Sequence, residues 1–170
     1  MLDKKLLIDQ LAARLRESVE LARREGEDAR EAAKSMQTEA EKKEDGRAFL
    51  ELGSLATGQE RRAREVQEAL RALAQFHNRG LPKLGRKSAV ELGAIVDVSV
   101  ECARGTEERT YFLLPVGAGT ELTGPDGDGF LSVITPASPV GRALIGRRAG
   151  ESVDVTIGGE AREWTLVEVS

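Results

Sequence analysis

Small and apolar residues recur at alternating steps of three and four over residues 8–73, which is the spacing of a coiled-coil seam. They form two series on either side of a charged segment at 41–47. The first series is Ile8, Ala12, Leu15, Val19, Ala22, Gly26, Ala29, Ala33, Met36 and Ala40, and the second is Phe49, Leu52, Ala56, Gln59, Ala63, Val66, Leu70 and Leu73. Helices with such seams bury them against each other. Two packed helices are therefore predicted.

The relative direction of the two helices follows from the residue numbers of the seam positions. If the chain folds back on itself, facing residues have a constant sum. Ala40 with Phe49 gives 89, and at the other end of the series Leu15 with Leu73 gives 88. Residues 1–76 are therefore predicted to form an antiparallel helical hairpin, a coiled-coil finger with its turn near residue 44.

The composition changes after residue 76. All five prolines and 14 of the 18 glycines follow it. Runs rich in Val, Ile, Thr and aromatic residues predict five strands, at 94–100, 109–114, 130–134, 152–157 and 163–169. Their spacing favours one antiparallel sheet.

A short helix is predicted between the third and fourth strands. Ser138 is the expected N-cap, Pro139 takes the first helical position, and Gly146 follows the end. The predicted fold class is thus α+β: the helical finger at 1–76, a linker at 77–88, and a domain at 89–170 built from a small antiparallel sheet and a short helix.

The chemistry open to this chain is narrow. One cysteine and one histidine provide no internal disulfide, no Cys-based metal cage and little basis for His-based catalysis. The net charge of −4 gives no overall basic field that would attract nucleic acid. The sequence contains neither an apolar run of membrane-spanning length nor a secretory signal, so we expect a cytoplasmic protein without membrane contact.

Local charge is concentrated at two places. The predicted turn carries Glu41, Glu44 and Asp45 next to Lys42 and Lys43. Helix turns are normally charged because they are solvated, so these acids alone identify no function. The second place is the end of the short helix, where Arg142, Arg147 and Arg148 form either a basic patch for a partner or a solvated helix end.

Residues 135–155 carry a recognisable motif, Thr-Pro-Ala-Ser-Pro-Val-Gly-Arg-Ala-Leu-Ile-Gly-Arg-Arg-Ala-Gly-Glu-Ser-Val-Asp-Val. The motif resembles the hallmark of the bacterial Gre transcript cleavage factors, and residues 158–169 resemble their last two strands. Those proteins join an N-terminal coiled-coil finger to a C-terminal domain of FKBP-like fold, the order predicted here.

The resemblance implies an accessory factor of bacterial RNA polymerase, not an enzyme in its own right, and we expect a monomer. Its domain at 89–170 would dock at the rim of the polymerase secondary channel, and the finger would enter the channel. The candidate docking residues lie in the motif: Ser138, Pro139, Gly141, Arg142, Arg147 and Arg148.

The resemblance also implies a role for the turn acids. Glu44 and Asp45, with Glu41, would help to hold a Mg2+ ion shared with the polymerase, next to the 3′ end of the nascent RNA. The polymerase would then hydrolyse backtracked RNA, and the chain would need no cofactor of its own. Mg2+ prefers carboxylate and phosphate oxygens, which suits this role.

The tip departs from the family pattern. The family tip, Gly-Asp-Leu-x-Glu-Asn-x-Glu-Tyr, does not occur at 41–47, and Lys42 and Lys43 compete for the acids. A factor that binds polymerase and obstructs the channel without stimulating cleavage is therefore the alternative.

Two other classes are a coiled-coil adaptor and a prolyl isomerase. An isomerase would need an aromatic-lined pocket, for which the domain offers Tyr111, Phe112, Phe130 and Trp164.

Overall fold

The computed structural model describes residues 3–39, 46–102, 105–124 and 129–170. The predicted turn acids Glu41, Glu44 and Asp45 lie outside these residues. The elements, in chain order, are α1 (Lys4–Glu39), α2 (Gly46–Asn78), β1 (Ile95–Cys102), β2 (Gly105–Leu113), β3 (Glu121–Thr123), β4 (Phe130–Ile134), α3 (Pro139–Leu144), β5 (Ser152–Ile157) and β6 (Glu160–Val169). The α+β class and the order of helical hairpin, sheet and short helix are confirmed.

The chain divides into two compact units. One is Ala12–Arg71, and the other joins Met1–Leu11 to Ala72–Ser170. The first residues of α1 and the last residues of α2 therefore belong to the same unit as the sheet. The functional division at 1–76, 77–88 and 89–170 stays a prediction. Within the described part of the chain, neither long helix is apolar enough to cross a bilayer.

The helical unit is held together by small side chains. Its buried apolar residues, among those described, are Val19, Ala22, Ala29, Ala33, Ala56 and Ala63, and all of them belong to the predicted seams. An ion pair joins Arg30 to Glu60 across the helices. These two numbers sum to 90, close to the predicted 88 and 89, so the antiparallel hairpin is confirmed.

Gly26 marks a position where the two helices approach closely. A Cβ atom placed there would lie 3.5 Å from the Cβ of Gln59 and 3.7 Å from the carbonyl oxygen of Ala56. Both are ordinary van der Waals distances. Apolar burial in this unit is thus achieved by close approach of two backbones and not by large side chains.

The sheet has six strands in the order β3-β4-β2-β1-β6-β5. Four of the five pairings among the described strands are antiparallel, but β2 and β4 pair in parallel, Tyr111 opposite Ser132 and Leu113 opposite Ile134. The prediction of a wholly antiparallel sheet is therefore wrong at this pairing.

The cause of the parallel pairing is β3, a three-residue strand that is absent from the five strands predicted from the sequence. The chain reverses after β2 through a turn in which Gly117 and Gly119 have φ of +89° and +82°. It enters β3 and then reverses again into β4. Two reversals restore the direction of β2. Since β4 lies between β3 and β2, it pairs with β2 in parallel.

Both faces of the sheet carry apolar residues. One face forms a core with α3, which contributes Val140 and Leu144 to a cluster that contains Trp164. On the other face Leu122 and Leu131 form a cross-strand pair, and both are buried.

The start of α1 packs close to these residues. The methyl carbons of Leu11 lie within 3 Å of the position a Cβ would take on Gly117, and Leu11 itself is fully buried. The side-chain amide nitrogen of Gln10 donates to the carbonyl oxygen of Thr123 at 2.9 Å, and its oxygen accepts from the Thr123 N–H at 3.2 Å. The beginning of the hairpin is therefore part of the structure that contains the sheet.

Leu73, near the end of α2, is 2% exposed, so we expect Leu73→Ala to lower the free energy of unfolding. Truncating a buried leucine costs about 2–5 kcal/mol because it loses apolar burial and leaves a cavity. Urea denaturation followed by circular dichroism measures the change. Leu50→Ala is the matched control, since Leu50 is 71% exposed, and it should change stability by less than about 0.5 kcal/mol. Equal losses in both variants would contradict this packing.

Candidate functional site

The motif at 135–155 folds around the hydroxyl of Ser138. Its Oγ accepts the N–H of Gly141 at 3.1 Å and donates to the carbonyl oxygen of Thr135 at 2.7 Å. Pro139 follows in the first turn of α3, where the fixed φ of proline suits a helix start. The predicted N-cap is confirmed, and Ser138 closes the preceding turn as well as the helix.

Gly141 is required by the close approach of that turn. It is buried, and a Cβ atom there would collide with the carbonyl oxygen of Thr135. Ser138, Pro139 and Gly141 therefore all shape the start of α3 through contacts inside the chain. Their role as docking residues stays a prediction.

The segment after α3 is tied to the last residues of the predicted linker and to the residues just after it. The N–H of Gly146 donates to the carbonyl oxygen of Val90 at 2.9 Å, and the Val90 N–H donates to the carbonyl oxygen of Arg147 at 2.8 Å. The Arg148 guanidinium donates to the carbonyl oxygen of Lys87 at 2.6 Å. Of the three candidate arginines, Arg148 is therefore the one whose side chain holds the backbone in place.

Arg142 and Arg147 remain exposed, and neither has a salt bridge within the described residues. Between them in the sequence lies Ile145, which is 41% exposed although it is a large apolar residue. We call Arg142, Ile145 and Arg147 the α3 patch. Two exposed cations and an exposed apolar side chain within six residues of sequence suit a partner surface that is acidic and partly apolar.

The sequence pattern alone does not indicate Ile145 as a surface residue. The position of Gly146 indicated a helix that ends at residue 145. In the structure α3 ends at Leu144, so Ile145 caps the helix and does not belong to it.

Two other arginines among the described residues of the domain are already paired. Arg109 lies 2.7 Å from Glu107 and Arg162 lies 2.8 Å from Glu160. The hydrogen bond from Arg109 lowers the pKa of the Glu107 carboxyl below its ordinary value. These cations are therefore engaged within the chain, in contrast to those of the α3 patch.

The metal prediction at the turn is not tested, because Glu41, Glu44 and Asp45 lie outside the described residues. Across the residues that are described, no three or more acids, histidines or cysteines come together as a metal site would require.

The aromatic residues of the domain mostly belong to its core. Tyr111, Phe112 and Trp164 are 7%, 0% and 1% exposed, and the rings of Tyr111 and Trp164 stack with their centres 5.5 Å apart. Phe130 is exposed on β4. A cavity of about 830 Å3 between the linker and β1 has Leu81, among others, in its walls, and no aromatic residue lines it. This arrangement disfavours a prolyl isomerase pocket.

The C-terminal half of the chain matches a known protein family. Residues 86–170 match the family described as "Transcription elongation factor, GreA/GreB, C-term". The match contains the whole sheet, α3 and the α3 patch. A comparison with curated protein sequences gives no significant match.

Several solved structures are similar to this chain. The GreA factor homolog 1 (Gfh1) of Thermus thermophilus is 19% identical, with 94% of each chain covered and a TM-score of 0.38. Gfh1 of Thermus aquaticus is 21% identical, with 92% of each chain covered and a TM-score of 0.36. A prokaryotic GreA/GreB factor from Nitrosomonas europaea is 23% identical over 51% of this chain and 63% of that one, also with a TM-score of 0.36.

Gly141→Ala should destabilise the domain, because the new methyl group collides with a backbone carbonyl that cannot move without opening the turn. We expect a loss of about 1–3 kcal/mol. The control is Gly58→Ala in α2, where nothing lies within 4 Å of the new methyl. It should stabilise the chain by up to about 1 kcal/mol, since alanine favours a helix. Thermal unfolding of both variants checks the pair, and an unchanged melting temperature in Gly141→Ala would contradict the expectation.

Proposed function

The chain belongs to the GreA/GreB family of transcription elongation factors, and on that premise we propose that it is a cytoplasmic accessory factor of bacterial RNA polymerase. In this proposal the domain at 89–170 docks at the rim of the secondary channel, and the hairpin at 1–76 enters the channel. The observation that carries the proposal is the family match over residues 86–170. The antiparallel hairpin in the same chain supports it.

The α3 patch is the proposed docking surface. Arg142 and Arg147 are free to pair with acids of the polymerase, and Ile145, which lies between them in the sequence, supplies an exposed apolar side chain. Ser138, Pro139 and Gly141 keep the start of α3 in one conformation, and Arg148 fixes the following segment against Lys87. Because these contacts already hold the segment in one conformation, docking loses less conformational entropy.

The turn of the hairpin is the proposed site of action. Glu44 and Asp45, with Glu41 three residues before Glu44, would offer carboxylate oxygens to a Mg2+ ion shared with the polymerase, and this donor set suits that ion. A second metal ion stabilises the attacking and leaving oxygens in phosphodiester hydrolysis. The part of this chain is to deliver the carboxylates, whereas the polymerase cleaves the backtracked RNA.

A second candidate function is obstruction of the channel without cleavage. Two sequence observations favour it. Lys42 and Lys43 adjoin the turn acids and compete for them, and the family tip motif is absent at 41–47. In this form the hairpin would occupy the channel and inhibit synthesis.

Replacing both turn acids separates the two functions. If they hold Mg2+, Glu44→Ala/Asp45→Ala should abolish stimulated cleavage and leave the affinity for polymerase within about twofold, because the docking surface is unchanged. The measurement is the length of radiolabelled RNA in a backtracked complex. Lys42→Gln/Lys43→Gln is the companion variant and should increase cleavage.

An obstructing factor gives a different pattern in the same assay. The unmodified chain then inhibits synthesis, shortens no RNA at any Mg2+ concentration, and loses potency when the hairpin is shortened by two heptads. That pattern would reject the cleavage function and leave binding to polymerase intact.

The α3 patch has its own test. Arg142→Gln/Arg147→Gln should weaken binding to purified RNA polymerase roughly tenfold, because two exposed cations lose their acidic partners. Arg79→Gln/Lys83→Gln removes the same charge outside the patch and should bind as the unmodified chain does. Equal affinity of both variants, measured by titration of labelled protein, would exclude the patch as the docking surface.

A further inference from the structure

A cavity lies where the start of α1, the predicted linker and the sheet meet. Lys4 of α1 lines it, together with residues 81–84 of the linker, the start of β1 and the end of β6. All of these residues belong to one compact unit, Met1–Leu11 with Ala72–Ser170. The volume is about 830 Å3, within the roughly 300–1,000 Å3 of small-molecule sites. We call it the linker cavity.

The walls of the linker cavity are fixed by contacts within the chain. Pro82 packs on Gly93 so closely that a Cβ atom on Gly93 would lie 2.7 Å from the Cδ atom of Pro82. Leu84 packs against the core of the domain. On the sheet, Ile95 and Ser170 exchange two backbone hydrogen bonds, at 2.8 and 2.9 Å. A ligand would therefore have little to order on binding.

The lining of the linker cavity joins an apolar surface to two ammonium groups. Leu81, Leu84 and Ile95 supply apolar side chains, and Lys4 and Lys83 supply the cations. Within the described residues, neither lysine forms a salt bridge. Both cations are therefore available to a ligand.

The surroundings of Lys4 favour an anionic ligand. Lys4 is half-buried, and this burial lowers the pKa of its ammonium group below the ordinary value, because the charged form is partly removed from water. A cation that is desolvated without an acidic partner costs free energy. An anionic group bound next to Lys4 would supply that partner.

Two carboxylates also line the cavity, but each already has a partner. The Thr110 hydroxyl donates to Asp97 Oδ1 at 2.6 Å, and Glu168 lies 3.8 Å from Arg86. In net charge the two acids balance the two lysines. The acids would repel a ligand with several negative charges, whereas a single negative charge can pair with the lysines. The linker cavity therefore favours a monoanion.

We propose that the linker cavity binds a small amphipathic monocarboxylate. Its carboxylate lies beside Lys4 and Lys83, and its apolar body lies against Leu81, Leu84 and Ile95. No residue that lines the cavity belongs to the α3 patch, so this site is independent of the proposed docking to polymerase. The ligand contacts α1, the linker and the sheet at once, and its binding therefore stabilises the folded unit.

Decanoate and naphthoate test the proposal, because they join one carboxylate to an aliphatic or an aromatic body. The reporter is anilinonaphthalene sulfonate, a singly charged dye whose fluorescence rises on apolar surfaces. We expect the full chain to bind this dye, and at least one of the two carboxylates to displace it. Decanol lacks the charge and ATP carries several negative charges, so both should displace the dye roughly tenfold less effectively.

Variants of the lining locate the site. Lys4→Gln/Lys83→Gln should lower the affinity for the displacing carboxylate roughly tenfold, because the carboxylate loses both cationic partners. Leu81→Trp should lower it as well, because the larger side chain occupies the cavity. The matched control is Lys5→Gln/Lys87→Gln, which removes the same charge from two exposed lysines outside the cavity. It should bind as the unmodified chain does.

The melting temperature separates binding in the folded cavity from adsorption to apolar surface. Saturating carboxylate should raise it in the unmodified chain and in the control, but not in Lys4→Gln/Lys83→Gln. Equal affinity in all variants, an equal loss in the control, or equally strong displacement by decanol or ATP overturns the proposal. If Leu81→Trp does not fold, the lysine variants decide alone. Polymerase binding is measured separately, so its absence would leave the linker cavity standing.

Discussion

A sheet with apolar residues on both sides must be covered on both sides, and this constraint organises the unit that contains the sheet. α3 covers one side, where Val140 and Leu144 join the cluster around Trp164. On the other side Leu122 and Leu131 are buried, and Leu11 of α1 packs against the turn at Gly117. For this reason Met1–Leu11 and Ala72–Ser170 form one unit although they are far apart in sequence. Removing the hairpin would leave apolar surface exposed, so docking is best measured on the full chain.

Small residues and internal hydrogen bonds, and not large apolar side chains, determine the local structure of the hairpin and of the start of α3. In the hairpin, the alanines and Gly26 allow two helices to approach to van der Waals contact. At α3, Ser138 and Gly141 allow a helix to begin directly against the Thr135 carbonyl. The residues that define the family motif therefore act first on the backbone. The side chains left for a partner, Arg142, Ile145 and Arg147, stand on that fixed backbone.

Charge is distributed unevenly over the domain, and the distribution has a structural cause. The arginines of β2 and β6 pair with glutamates on the same strands, Arg109 with Glu107 and Arg162 with Glu160. These pairs lie on the side of the sheet that faces α3. The opposite side receives acids and hydroxyl residues, and there Asp97 and Glu168 face each other directly. Lys4 and Lys83 line a cavity together with Asp97 and Glu168, so part of this like charge lies beside cations of the same unit.

The sequence alone determined the features that depend on local spacing. The two seams gave the antiparallel hairpin, because a coiled coil repeats within a few residues, and Ser138 with Pro139 gave the start of α3. The sequence did not predict β3, because three residues carry no periodicity, nor the parallel pairing of β4 with β2, because strand neighbours are chosen by long-range packing. The juxtaposition of like charges on the sheet also required the tertiary structure. Asp97 and Glu168 are 71 positions apart, and only the strand register, with its bulge at Val167, brings their like charges to one surface.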